Sequence, residues 1–245
     1  VMNKDHLNVP ASKLPLVEKL PPEKDWRQSF HWRIFRIMAE FIDGWQFLAD
    51  LKKTVTFFGS AKTKEGDKWY EEARQLGEML ANDGFSIITG GGPGIMEAAN
   101  RGAHEAKEKS NNSEAVGSSI GLNIKLHFEQ RINAFVDKAI AFHYFFVRKV
   151  MLSYYAQAYV YFPGGFGTLD EAFELMTLVQ TKKVPPLPII FVGKEYWEPL
   201  ERLIKETVYE KFDAIDKEDM EIFTIVDSAE EAYNIIKKAP ERKEF

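Results

Sequence analysis

The 245 residues contain no cysteine, which excludes disulfides, thiolate nucleophiles and cysteine metal ligands together. Histidine is scarce. His6, His31, His104, His127 and His143 fall at no ligand-like spacing and without an acidic cluster, so no metal is expected. Long hydrophobic runs are missing as well. The greasiest early stretch, Trp26 to Leu51, is broken by Arg27, Arg33, Arg36, Glu40 and Asp43, well short of the roughly 20 apolar residues that span a bilayer. There is no excess of positive charge. A formal net charge of −5 gives no broad pull toward nucleic acid or an anionic membrane, although a local basic pocket for one phosphate is compatible with it. No secretory leader is visible, so a cytoplasmic protein is expected.

Hydrophobic residues make up 45% and charged residues 28% of the chain, the balance of a globular protein. The aromatics, 13% of the residues, gather in apolar helices and strands rather than among exposed basic residues. They read as core and not as base-stacking platforms for RNA. Residues 1–25 are polar and carry Pro10, Pro15, Pro21 and Pro22, the pattern of an extended arm. Residues 26–51 read as a helix, with Ile34, Met38, Phe41, Trp45 and Leu48 on one face and further apolar groups around it. That helix needs cover on more than one side, from the main domain or from a second subunit. Residues 240–245 are a charged, frayed tail.

Strands and helices alternate over 52–239. Strands are predicted at Val55–Gly59, Phe85–Thr89, Ser119–Ile124, Lys138–Phe142, Ala158–Phe162, Pro188–Val192 and Phe223–Val226. Helices are predicted at Lys68–Leu80, Ile95–Lys107, Phe146–Ala156, Leu169–Thr181, Tyr196–Lys211 and Ala229–Lys238. This is the pattern of an α/β domain with a doubly wound, mainly parallel sheet. Lys109–Ser119 is a polar loop between two of these elements.

Two glycine-rich turns stand out, Gly90-Gly91-Gly92-Pro93-Gly94 and Pro163-Gly164-Gly165-Phe166-Gly167-Thr168. Each follows an apolar strand and leads into a helix, which exposes backbone N–H groups and the positive end of a helix dipole. Both suit a phosphate. The second places Glu171 near the same helix start, so a phosphate beside a carboxylate is expected. Related motifs fail on detail. Gly59-Ser60-Ala61-Lys62-Thr63 lacks the glycines of an ATP-binding P-loop. Glu97 and Asp170 stand where a dinucleotide fingerprint has its third glycine, which argues against NAD. One anion pocket for a mononucleotide fits better.

Glu171 and Glu174 lie three apart on one helix, on neighbouring parts of one face. Placed close to the helix N-terminus, Glu171 is expected to be ionised, a base or electrostatic stabiliser rather than a proton donor. Glu97 has two readings, a contact to ribose or base and a first-turn glutamate matched to the dipole. Arg148-Lys149, after a largely apolar run, points to an anionic partner, either a ligand or an acidic side chain.

Gly59-Ser60-Ala61, Phe128-Glu129-Gln130, Phe145-Phe146-Val147-Arg148-Lys149 and the turn from Pro163 to Glu171 together resemble the LOG family. The family is known for cytokinin-activating nucleotide phosphoribohydrolases and often labelled lysine decarboxylase-like. The likeness runs from about Thr54 to Val192 and is to longer bacterial members. It implies a Rossmann-like fold that hydrolyses the N-glycosidic bond of a nucleoside 5′-monophosphate, giving free base and ribose 5-phosphate. Glu171 would be catalytic, with Arg148 as its partner at the phosphate, the sugar or the departing base. Gly59, Ser60, Gly91, Gly92, Gly94, Met96, Glu97, Lys149, Gly164, Gly165, Gly167, Thr168 and Glu174 would bind substrate. Glu129, Gln130 and Asn133 are candidates to contact the base or to support the site. No cofactor is implied, and Lys149 has no recognisable Schiff-base context for pyridoxal phosphate. A homodimer or higher even oligomer is the expectation. The acidic start Ile95-Met96-Glu97-Ala98, the aromatic run His143-Tyr144-Phe145-Phe146 and the added N-terminal helix depart from the shorter plant-type pattern and favour a general AMP-like or other nucleotide substrate over cytokinin nucleotides. The rival reading is a non-catalytic carrier of a nucleotide or of the molybdenum cofactor, whose carrier proteins look similar. A weaker one makes the N-terminal helix a docking element for another protein.

Overall fold

The computed structural model describes residues 30–51, 53–125 and 132–240. The arm at 1–25, the tail at 241–245 and the Phe128-Glu129-Gln130 motif lie outside the described residues. The elements run α1 (Phe30–Leu48), β1 (Thr54–Phe58), α2 (Lys68–Asn82), β2 (Ser86–Thr89), α3 (Ile95–Lys109), β3 (Ser119–Ile124), β4 (Lys138–Phe142), α4 (Phe145–Tyr154), β5 (Ala158–Tyr161), α5 (Phe166–Gln180), β6 (Ile189–Val192), α6 (Lys194–Arg202), β7 (Thr224–Val226) and α7 (Ala229–Ile236). Every strand pairing is parallel, in the order β4-β3-β2-β1-β5-β6-β7. Successive strands move outward from β1 in one direction and from β5 in the other. The switch point therefore falls between β1 and β5, where such sheets bind ligands at their carboxyl ends.

Strand alternation explains how helices cover both faces. Val55 and Phe57 of β1, with Ala158 and Val160 of β5, join a core that includes Leu76, Leu80, Ala99, Ala103 and Ala232 from α2, α3 and α7. The residues between them point the other way. Thr54 Oγ1 and Thr56 Oγ1 donate to the carbonyls of Tyr155 and Leu152 at the end of α4. On that same face Phe191 of β6 stacks on Trp197 of α6, ring centroids 4.4 Å apart. These buried threonines satisfy helix-end carbonyls that would otherwise be orphaned.

The expected elements are present, with instructive differences in extent. Helix α5 starts at Phe166, ahead of the expected Leu169, because Gly167 and Thr168 adopt the first helical turn. The predicted long helix after β6 is α only to Arg202, then continues as a π turn over Leu203–Tyr209. A short 3-10 helix at Lys217–Glu221, closed by a capping box from Asp216 and Asp219, was not foreseen.

The chain divides into two compact units, 1–39 and 40–245, so the second half of α1 goes with the sheet. Of the expected stripe, Leu48 is buried and Trp45 lies against Tyr154 of α4, ring centroids 6.2 Å apart. Gly44, outside that stripe, is buried as well. At Gly44 a side chain would meet Met151 Sδ at 2.8 Å and Phe142 at 3.1 Å, so glycine sets how closely α1 lies on α4 and β4. Among the described residues, no helix is long and apolar enough to cross a membrane.

Candidate active site

A cavity of about 740 Å³ opens at the carboxyl ends of β1 and β5, within the size range of small-molecule sites. Its floor includes Phe58, stacked on Tyr161 with ring centroids 4.9 Å apart. The wall brings together Gly59, Ser60, Met96, Arg148, Gly164, Gly165, Gly167, Thr168 and Glu171, all singled out from the sequence. It does not include Gly91, Gly92, Gly94, Glu97, Lys149 or Glu174.

The reason lies in how the two glycine turns are built. In the first, Gly91 N–H donates to Thr89 Oγ1 at 2.9 Å, and Ile95 N–H, the first of α3, donates to the Ser60 carbonyl at 3.0 Å. Asn133 closes the loop from outside. Its backbone N–H donates to the Gly91 carbonyl at 2.9 Å, and its amide donates to the Gly92 carbonyl and Asn100 Oδ1, both at 3.0 Å. Gly94 has φ +73° and faces the Ser60 carbonyl so closely that a side chain would overlap it; only glycine tolerates both conditions without strain. Glycine here serves contact with protein. Glu97 accepts from the Tyr70 hydroxyl at 3.1 Å, a tie between α3 and α2.

The second turn faces outward. Gly165 caps α5 with no side-chain partner, and a side chain at Gly165 or Gly167 would meet nothing within 4 Å. Phe166 between them is 92% exposed. Uncapped amides at the start of α5 thus open onto the cavity, beside the Thr168 hydroxyl, as an anion site requires. The turn is braced from behind. Ser60 N–H donates to the Pro163 carbonyl at 3.0 Å and Tyr196 Oη donates to the Gly164 carbonyl at 2.6 Å.

Glu171 is 4% exposed, its backbone carbonyl held by the Tyr161 hydroxyl at 3.2 Å. Its Oε2 and the Nε of Arg148 are buried with no hydrogen-bond partner among the described residues. Burial pushes the Glu171 carboxyl up to about 8; Lys149 and Arg148 pull it down, while Glu174 and Asp170 push it further up. The expectation of a carboxylate fully ionised at neutral pH is therefore corrected. Because α5 begins at Phe166, Glu171 lies in the second turn, beyond the reach of the helix dipole, and desolvation decides its protonation. Burial likewise drives the Arg148 guanidinium below its ordinary value, with Glu171 pulling it back.

Arg148 belongs to α4 and reaches across to the first turn, where its Nη1 would stand 3.2 Å from a side chain at Gly90. Its guanidinium also lies 5.0 Å from the centroid of the Phe145 ring, a cation–π contact. Lys149 points away, to Asp170 Oδ2 at 2.7 Å and Glu174 Oε2 at 3.3 Å. Burial works to lower its ammonium pKa, but the carboxylates of Asp170, Glu171 and Glu174 prevail and hold it above the usual value. Lys149 and Glu174 thus join α4 to α5.

Lys62, Thr63, Asp67, Trp69, Ile124, Phe145, Leu152 and Tyr196 also line the cavity, unassigned by motif reading. Most follow a strand's carboxyl end within a few residues, the one signal that could have found them. Wall chemistry divides by strand. Met96, Ile124, Phe145 and Leu152, from the β2–β4 side, make an apolar half, whereas Ser60, Lys62, Thr63, Thr168 and Tyr196 border the polar loops after β1, β5 and β6. Arg148 and Glu171 come from α4 and α5, the helices on either side of β5 in the chain.

A family model described as "possible lysine decarboxylase" matches residues 96–236, more than half of the chain. An uncharacterized protein of Archaeoglobus fulgidus is 29% identical over 140 residues, which span 56% of this chain and 84% of that protein. Rice cytokinin riboside 5′-monophosphate phosphoribohydrolase LOG is 26% identical over 170 residues, 67% of this chain and 65% of the rice protein. Pyrimidine/purine nucleotide 5′-monophosphate nucleosidase of Escherichia coli K12 is 27% identical over 164 residues, 64% of this chain but only 35% of the nucleosidase. Among solved structures, the molybdenum cofactor carrier protein of Chlamydomonas reinhardtii superposes with a TM-score of 0.55 at 20% identity, covering 76% of this chain and 97% of that one. The molybdenum cofactor binding protein of Rippkaea orientalis gives 0.51 at 22% identity, covering 75% and 93%. These structural likenesses concern the fold.

Proposed function

The chain belongs to the LOG family, whose model carries the description of possible lysine decarboxylases, and on that footing we propose that it is a nucleoside 5′-monophosphate phosphoribohydrolase. The observation that carries this reading is the uncapped, outward-facing start of α5 next to a buried carboxyl whose Oε2 has no hydrogen-bond partner among the described residues. The phosphate sits on the amides of Gly165 to Thr168 and on the Thr168 hydroxyl. This leaves the sugar near Glu171 and the base toward the apolar half of the cavity.

Water attacks the ribose C1′ as the C1′–N bond breaks and its electron pair leaves with the base. Positive charge gathers on C1′ and O4′. An ionised Glu171 is poorly solvated in the empty pocket, and this developing charge compensates it, so the interaction strengthens toward the transition state. The carboxylate also takes the proton of the attacking water and passes it on to the departing base, which returns Glu171 to its ionised form. Arg148, cationic beside Glu171 and over the Phe145 ring of the apolar half, assists the departing base. Catalysis uses the ionised minority of Glu171 at neutral pH. Lysine decarboxylation is not supported: a Schiff base needs a neutral amine, and Lys149 is held cationic between two carboxylates.

The test is release of ribose 5-phosphate and free base from a panel of nucleoside 5′-monophosphates, wild type against Glu171→Ala. Turnover that falls by about 10³-fold in the variant supports the hydrolase. Saturable nucleotide binding without any release favours a non-catalytic carrier instead.

A further inference from the structure

The added helix α1 carries one residue that no motif explains. Glu40 is half-buried, and its carboxylate spans two backbone amides. His143 N–H donates to Oε1 at 2.8 Å and Tyr144 N–H donates to Oε2 at 3.0 Å. These amides lie just before the first turn of α4, and Tyr144 is the residue that caps that helix without a side-chain hydrogen bond of its own. The Tyr144 carbonyl in turn accepts from Arg148 N–H at 3.2 Å. Tyr144 is thus held through its N–H by Glu40 and, through its carbonyl, by the backbone N–H of Arg148 in the first helical turn.

Nearby contacts keep the grip from sliding. Gly44, one turn along α1, lies against Met151 and Phe142, while Tyr155 Oη donates to the Ala49 carbonyl at 3.2 Å. α4 is therefore registered against α1 at both of its ends. Phe145 and Arg148, the α4 side chains that meet face to ring at the cavity wall, inherit that register. The phosphate turn does not, being braced by Ser60 and Tyr196 from other elements.

We propose that Glu40 is a positioning residue for the reaction, its carboxylate fixing the start of α4 and so the placement of Arg148 and Phe145. This rests on the hydrolase reading for its kinetic consequence, though not for its geometric one. A carboxylate is suited to the task because it accepts two amides at once and is favoured at a helix N-terminus. Small displacements of a group at a reacting centre cost rate out of proportion to binding.

The experiment compares full-length wild type, Glu40→Gln and Glu40→Ala. For each it measures kcat and KM on AMP, thermal midpoint, and affinity for ribose 5-phosphate and AMP by calorimetry. The expected result is a loss of kcat of about tenfold in Glu40→Ala, with partial recovery in Glu40→Gln, which keeps one acceptor oxygen. Ribose 5-phosphate affinity stays within about twofold in both, since α5 carries the phosphate. Unchanged kcat and AMP affinity in Glu40→Ala overturns the proposal, as does an equal loss of ribose 5-phosphate and AMP binding, which marks a merely structural role. Wild type that binds AMP without turnover removes the hydrolase reading alone. The ratio of AMP to ribose 5-phosphate affinity then decides for Glu40: a fall in Glu40→Ala supports it and a constant ratio overturns it.

Discussion

Gly90–Gly94 and Gly164–Gly167 both leave a strand's carboxyl end and enter a helix, yet their amides go to different places. In the first, Thr89 accepts the N–H of Gly91, Ser60 accepts that of Ile95 where α3 begins, and Asn133 donates to the carbonyls of Gly91 and Gly92. The second leaves the start of α5 uncapped, with open space where side chains at Gly165 and Gly167 would stand. Glycine marks a place where something comes close to the backbone. Whether that is a neighbouring loop or a ligand depends on partners far away in sequence, such as Asn133. Here one turn builds the wall and the other carries the proposed chemistry.

The comparison can be broken most sharply through Glu171. If the carboxylate is the working form, kcat/KM rises with pH. A group titrating at about 8 is roughly one-tenth ionised at pH 7 and nine-tenths at pH 9, so the rise is about tenfold, measured as a pH–rate profile on AMP. A profile that falls over the same interval makes Glu171 a proton donor. Next comes Gly94→Ala. A positive φ and a clash with the Ser60 carbonyl are expected to cost about 3 kcal/mol, seen as a thermal midpoint lower by roughly 5–10 °C. The smallest effect is assigned to Asn133→Ala. Losing its side-chain hydrogen bonds to Gly92 and Asn100 should cost about 1–3 kcal/mol of stability. The Asn133→Ala value of kcat at saturating AMP should stay within about threefold of wild type, because the first turn holds the wall rather than the ligand.

Much of this arrangement was legible from local pattern. β3 and β4 fall on their expected residues, since alternating apolar runs bounded by polar turns define a strand without tertiary help. The parallel order and the cavity at the strand ends follow from the alternation of elements. What local pattern missed has a tertiary cause in each case. The apolar stripe of α1 included Trp45, which meets Tyr154, and the buried Leu48, but it gave no sign of Gly44 and Glu40, poor candidates on hydropathy that fit α4 through backbone contact. Glu171 was read as ionised because α5 was started too late, which put the carboxyl inside the dipole's reach. Lys149 and Glu174 carry the right charges for a ligand site, but they meet each other. Tyr196 was invisible as a brace, since nothing in the sequence ties it to Gly164.

The central claim, that the anion sits on the second turn, is tested most directly by calorimetric titration of ribose 5-phosphate into wild type and Gly167→Ala. A methyl group at Gly167 meets no protein atom within 4 Å, so folding stability should change by no more than about 0.5 kcal/mol. The account predicts that this methyl occupies the phosphate's place and weakens binding about tenfold or more. Wild-type affinity in Gly167→Ala would contradict it and move the anion away from α5.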